Sequence, residues 1–148
     1  MLKRASTRST LGKIPTGYMV RRSKFLTKNK VFGDGLYTQL PIETGHFIGE
    51  YKGKLLTVEQ ASKKKQNKSY LFDVKGKKKN VLFVIDAANK RTSSFVRYAN
   101  AANTEAEQNA MFVQKNQKIY LKALRDIRAG EEILTWYGAS TRDVINQK

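Results

Sequence analysis

What constrains this chain most is a rhythm of short β-type runs, each bounded by glycine, lysine clusters or polar turns. The runs are Val31 to Tyr37, Phe47 to Tyr51, Tyr70 to Val74, Val81 to Ile85, Met111 to Gln114 and Lys118 to Leu121. They are rich in β-branched and aromatic residues and too short for the apolar stripe of a helix. The pattern therefore predicts a mostly-β protein with short helices. One helix is expected where Thr57 and Gln60 stand at capping-box spacing, running through Ala61 toward Lys65. Lys115, Asn116 and Gln117 read as the tip of a hairpin. No internal repeat is visible, which excludes solenoids and propellers.

A length of 148 residues with 40% hydrophobic content supplies one core and not two, so a single domain is expected. No run of about 18 apolar residues is present to span a bilayer, and the first residues lack the apolar stretch of a secretory signal. A soluble protein made in the cytosolic compartment is the expectation. There is no cysteine and one histidine, His46, so no metal site is expected. Chemistry must come from hydroxyls, carboxylates, lysines or backbone groups.

The formal net charge of +17 creates a long-range field that attracts polyanions. Nine positive side chains lie between Lys3 and Lys30, and no acid precedes Asp34. The opening stretch to about Ile14 reads as a disordered basic arm. Its Arg, Ser and Thr content also fits a mitochondrial presequence, although no amphipathic helix emerges from it. Eight lysines between Lys63 and Lys79 form a second cluster around the Tyr70 to Val74 strand. Nucleic acid, or an assembly that carries it, is the partner this charge implies.

Three segments, in order, carry more than periodicity. The first is Val31-Phe32-Gly33-Asp34-Gly35-Leu36-Tyr37, followed by Thr44 to Thr57 reading TGHFIGEYKGKLLT. The second comprises SYLFDV from Ser69, FVIDA from Phe83 and SSFVRYANAAN from Ser93. The third is LRDIRAGEEILTWYG from Leu124 to Gly138. Together they resemble the SET domain of protein-lysine methyltransferases. Arg97 to Ala102 corresponds to that family's Asn-His-Ser segment, reduced here to Asn-Ala-Ala; this and the Trp136-Tyr137-Gly138 ending resemble its PRDM branch. The resemblance spans about residues 17–138, leaving a basic flexible arm over 1–16 and a short closing segment over 139–148. It implies small curved sheets around a pseudoknot, in which the Asn100 and Tyr137 segments pass through each other.

The resemblance also implies S-adenosyl-L-methionine as cofactor and a histone or other lysine-bearing protein as substrate, in the nucleus or on chromatin. Gly33, Asp34 and Gly35 would hold the amino-acid end of the cofactor; alone, two glycines in a loop are simply a turn. Tyr70, Arg97, Asn100, Ala101 and Tyr137 would complete the cofactor site, with Ala101 acting through its backbone. Tyr137 would orient the amine and the methyl donor, assisted by Tyr51. The lysine channel would be lined by Tyr51, Phe72, Asp73, Thr135 and Trp136, with Thr135 leaving room for more than one methyl group. Asp73, Glu105 and Glu107 are candidates for an acidic groove. The same tyrosines and phenylalanines also suit any β core, and Asn100 suits a turn. Two other readings remain: a silent SET-like module that binds chromatin through its charge, and a basic β-rich nucleic-acid protein of ribosomal or OB type. The latter leaves the ordered segments without a reason.

Overall fold

The computed structural model describes residues 10–26 and 32–136. Strand β1 (Tyr18–Leu26) pairs antiparallel with β2 (Phe32–Thr38), with an irregular register between Arg22 and Leu26. Strands β3 (Phe47–Glu50), β8 (Ala110–Lys115) and β9 (Lys118–Ala123) form a three-stranded antiparallel sheet in the order β3-β9-β8. Strands β4 (Lys54–Leu56), β5 (Leu71–Lys75) and β6 (Val81–Asp86) form a second sheet in the order β4-β6-β5. A parallel pair joins β7 (Asn100–Ala101) to β10 (Leu134–Thr135).

Each expected run became a strand within one residue at most ends. β1 was not expected, because Arg21, Arg22 and Lys24 interrupt its apolar residues and Ser23 is the one buried side chain among those four. Helix α1 (Val58–Ser62) starts where the spacing predicts: the Gln60 N–H donates to Thr57 Oγ1 at 3.0 Å and the Thr57 N–H to Gln60 Oε1 at 2.9 Å. It ends short of Lys65. Three successive lysines repel one another, and Lys64 turns away to pair with Asp86 at 2.9 Å. Of the expected arm over 1–16, residues 10–16 are described, and the Gly12 N–H donates to the Ser93 carbonyl at 2.9 Å.

The core lies where the two larger sheets meet. Tyr51, Phe72 and Phe112 pack edge-on or tilted, with ring centres 4.5 to 5.3 Å apart, among Leu36, Val74, Ile85, Val96, Ile119 and Leu121. Burying such side chains contributes about 1.5 to 3 kcal/mol each. Segment 130–135 is held from two sides. On one side, the Ile133 N–H donates to the Leu36 carbonyl and the Thr38 N–H to the Glu131 carbonyl. On the other, the Ala102 N–H donates to the Thr135 carbonyl at 2.7 Å, and Asn109 acts as a clamp. Asn109 is 1% exposed; its amide donates to the Glu132 carbonyl at 2.8 Å, and its Oδ1 accepts from the Leu134 N–H at 2.7 Å.

Asn109→Ala leaves two buried backbone groups without partners, a cost of about 2 to 4 kcal/mol. Urea unfolding checks this; a loss below about 1 kcal/mol would mean that the β10 segment is held without the clamp.

Candidate functional site

Glu132 organises the region around β10. It is 6% exposed, and its carboxylate accepts from Ser23 Oγ at 2.7 Å, the Lys24 N–H at 3.2 Å, the Tyr37 hydroxyl at 3.2 Å and Asn100 Nδ2 at 3.3 Å. The donors come from β1, β2 and β7. Tyr37 shares its proton with the Arg22 carbonyl, 2.9 Å away. Burial, then the charge of Glu132 and the bond to it, push the Tyr37 hydroxyl above its ordinary pKa. Arg21, 4.1 Å from the ring centre, opposes this in part. Tyr37 therefore stays a proton donor through the neutral range.

Gly35 is glycine for a reason the sequence does not reveal. A Cβ there would overlap the Glu132 carboxylate and approach Ser23 Cβ to 3.2 Å. The missing side chain makes room for the buried acid. Gly33-Asp34-Gly35, expected as a loop, lies within β2; Asn100 Nδ2 also donates to the Asp34 carbonyl at 2.7 Å, so β2 and the Asn100-Ala101 strand meet at one amide. Among the described residues no donor reaches Asn100 Oδ1. Thr135 is 1% exposed, and its hydroxyl donates to the Asn100 carbonyl at 3.3 Å. Trp136 follows, half-buried. Tyr137 lies outside the described residues, as does the expected closing segment over 139–148.

A second group of candidates gathers around Tyr70. The Tyr51 hydroxyl donates to the Tyr70 carbonyl at 2.8 Å, and its ring centre is 4.5 Å from that of Phe72. Arg97 donates to the carbonyls of Ala87 and Ala88 at 2.7 and 2.9 Å, and its guanidinium lies 4.4 Å from the Tyr70 ring centre and 4.8 Å from that of Tyr98. Tyr51 and Phe72 are each 2% exposed, so they are part of the core as well as neighbours of Tyr70. Asp73 is 7% exposed. This corrects the expected acidic groove: a buried Asp73 does not share an open surface with Glu105, and Glu107 Oε1 is engaged locally, accepting from the Thr104 N–H and hydroxyl at 3.1 Å each. Cavities of about 760 and 380 Å³ lie elsewhere, and none of these candidates lines either.

Glu132, Asn109, Ser23 and Tyr37 escaped the sequence reading. The available signal was faint: two adjacent acids, Glu131 and Glu132, directly before the apolar Ile133 and Leu134, in a chain with only 12 acids.

The family model for the PR domain of PR domain zinc finger protein 2 matches residues 22–148. The chain belongs to the PR-domain branch of the SET family. Over 110 residues, 73% of its length, this PR domain is 33% identical to histone-lysine N-methyltransferase set-17 of Caenorhabditis elegans, and it spans 37% of that relative. Among solved structures it is similar to the methyltransferase domain of human PR domain-containing protein 2, with 28% identity and a TM-score of 0.63, covering 88% of this chain and 83% of that one. It is also similar to ctPRC2 in an autoinhibited conformation bound to S-adenosylmethionine, with 26% identity and a TM-score of 0.64, covering 88% of this chain and 16% of that one.

If Gly35 serves Glu132, Gly35→Ala overpacks the site and costs about 1 to 3 kcal/mol. Combined with Glu132→Ala, the loss should fall short of the sum of the single variants by more than about 0.5 kcal/mol. Strict additivity in denaturant unfolding would separate the two residues.

Proposed function

We propose that this PR domain transfers the methyl group of S-adenosyl-L-methionine to the ε-amine of a lysine on a histone or another chromatin protein. The carrying observation is the parallel pairing of Leu134 with Asn100 and of Thr135 with Ala101, beside the Asp34 carbonyl. It brings the Asn-Ala-Ala strand and the approach to Tyr137 together across the intervening segment 102–133. The histone-lysine methyltransferase names of the relatives support the same reading.

The residues present fit the cofactor. Its ammonium and sulfonium are cationic and need acceptors; the Asp34 carbonyl, Asn100 Oδ1 and the Glu132 carboxylate behind Asn100 are acceptors. The rings of Tyr70 and Tyr98, held beside Arg97, offer flat faces for a planar base. In this reading Gly33, Asp34, Gly35, Tyr70, Arg97, Asn100, Ala101 and Tyr137 form the cofactor site. When bound, the cofactor supplies an electrophilic methyl group on sulfur.

The chain supplies alignment and exclusion of water. Tyr51, Phe72, Asp73, Thr135 and Trp136 wall the lysine channel. A lysine entering a water-poor channel beside a positive sulfonium has its pKa lowered by desolvation and like charge, and loses its proton before attack. The Tyr137 hydroxyl orients the free amine; Tyr51, its hydroxyl fixed on the Tyr70 carbonyl, keeps the channel wall in place. Thr135 is small, so the channel accepts a lysine that already carries a methyl group. The domain runs over 17–138, with 139–148 closing the channel and 1–16 as a basic arm. A +17 enzyme repels a free basic peptide, so its substrate lysine is presented on a nucleic-acid-bearing particle in the nucleus.

Tyr137→Phe should lower labelled-methyl transfer to histones by at least about a hundredfold while changing S-adenosyl-L-methionine binding less than about threefold. Nucleosomes should be methylated faster than a free histone-tail peptide, with a rate that falls steeply as salt rises. Unchanged transfer by the variant would remove Tyr137 from the chemistry, and equal rates on peptide and particle would remove the charge-based presentation. A wild type that binds cofactor and methylates nothing would favour the silent-module reading, which the Asn-Ala-Ala departure supports.

A further inference from the structure

The outer face of the β3-β9-β8 sheet has no part in the site above. Alternation along β9 turns Ile119, Leu121 and Ala123 into the core and leaves Lys118, Tyr120 and Lys122 facing outward. Across the ladder, Lys115 of β8 stands opposite Lys118, and Val113 opposite Tyr120. From β3, Phe47 stands opposite Lys122 and remains 42% exposed, its ring edge-on to Tyr120 with centres 5.5 Å apart. These rings, with Phe83 and the β8–β9 hairpin tip, line the cavity of about 760 Å³.

The electrostatics of this face are one-sided. The ammonium groups of Lys115 and Lys122 lie 5.8 and 5.7 Å from the centre of the Phe47 ring. Lys115 and Lys118, directly opposite across the ladder, repel each other at a cost to stability. The single carboxylate in the three strands, Glu50, stands 3.8 Å from Lys52. Gln114 ties this hairpin to its neighbour, accepting from the Lys75 N–H at 3.0 Å and donating to the Lys75 carbonyl at 2.6 Å. The turn that follows Lys75 carries Lys77, Lys78 and Lys79, so two lysine-rich hairpins are joined along one side of an aromatic floor.

We propose that this face binds single-stranded nucleic acid, with bases stacked on Phe47 and Tyr120 and phosphates held by Lys115, Lys118 and Lys122. Exposed rings interleaved with lysines suit a strand that offers unpaired base faces and regularly spaced phosphates together. A duplex offers its phosphates but keeps its bases stacked. An acidic peptide would satisfy the lysines and leave the rings unused. The site gives part of the charge surplus a location, and it does not depend on methyl transfer.

The test is fluorescence anisotropy with the full chain and a labelled oligothymidylate of about twelve nucleotides. Lys115→Glu/Lys118→Glu should weaken binding at least tenfold, and the corresponding Lys→Ala pair should flatten the slope of log affinity against log salt by about 1.4. Lys54→Glu/Lys90→Glu, an equal charge change at exposed residues that do not line the cavity, should weaken binding less than threefold. Phe47→Leu and Tyr120→Leu, shown folded by their melting temperatures, should each weaken oligothymidylate binding at least fivefold and leave duplex binding within twofold. Equal losses in the two Lys→Glu pairs, indifference to the ring substitutions, equal displacement by polyglutamate of matched charge, or no binding by the wild type would each overturn the proposal.

Discussion

The structure around the candidate site depends on one buried carboxylate. An unpaired charge at the position of Glu132 would cost several kcal/mol, and the chain offsets that with four donors drawn from β1, β2 and β7. Their spread matters more than their number, because removing any of the three strands leaves the acid underpaired. Glu132 therefore couples the entry hairpin, the Asn100 strand and the last strand into one unit. Gly35 is shaped by the same acid, since only a residue without a side chain leaves it room.

The proposed chemistry sits on that unit. The amide of Asn100 touches both the Glu132 carboxylate and the Asp34 carbonyl, so the group proposed to hold the cofactor is oriented by the interaction that holds the fold. On the other side of the segment, Asn109 fixes Glu132 and Leu134 through backbone groups, leaving little freedom in the approach to Tyr137. Methyl transfer needs alignment more than acid or base strength, and a segment pinned from both sides provides it. Part of the positive surplus lies elsewhere: among the described residues, Lys115, Lys118 and Lys122 on β8 and β9 and Lys77 to Lys79 in the neighbouring turn form no salt bridge. In the proposed reading, site and surface divide the work, one positioning small reactants and the other meeting a polyanion.

Much of the fold was legible in the sequence because its strands bury one face and alternate visibly, as Ile119, Leu121 and Ala123 do. The Thr57–Gln60 capping box was legible because both partners lie within one turn. β1 was not, since its charged residues face solvent and hide the alternation. The candidate residues were found through resemblance, not periodicity, and what holds them stayed invisible. Ser23, Tyr37 and Glu132 come from positions far apart in the chain, and nothing local marks a glutamate for burial. Asp73 shows the reverse: an acid beside a lysine cluster suggests an acidic groove shared with Glu105 and Glu107, yet its strand carries it inward.

The most direct test of a single coupled cradle is hydrogen exchange of the full chain with and without S-adenosyl-L-methionine. The amides of Gly35, Ala102, Ile133 and Leu134 should slow together on binding, because they belong to one unit. Protection confined to other segments, or protection of Asp34 and Gly35 in β2 without Ile133 and Leu134, would contradict a cofactor site built on the Glu132 junction.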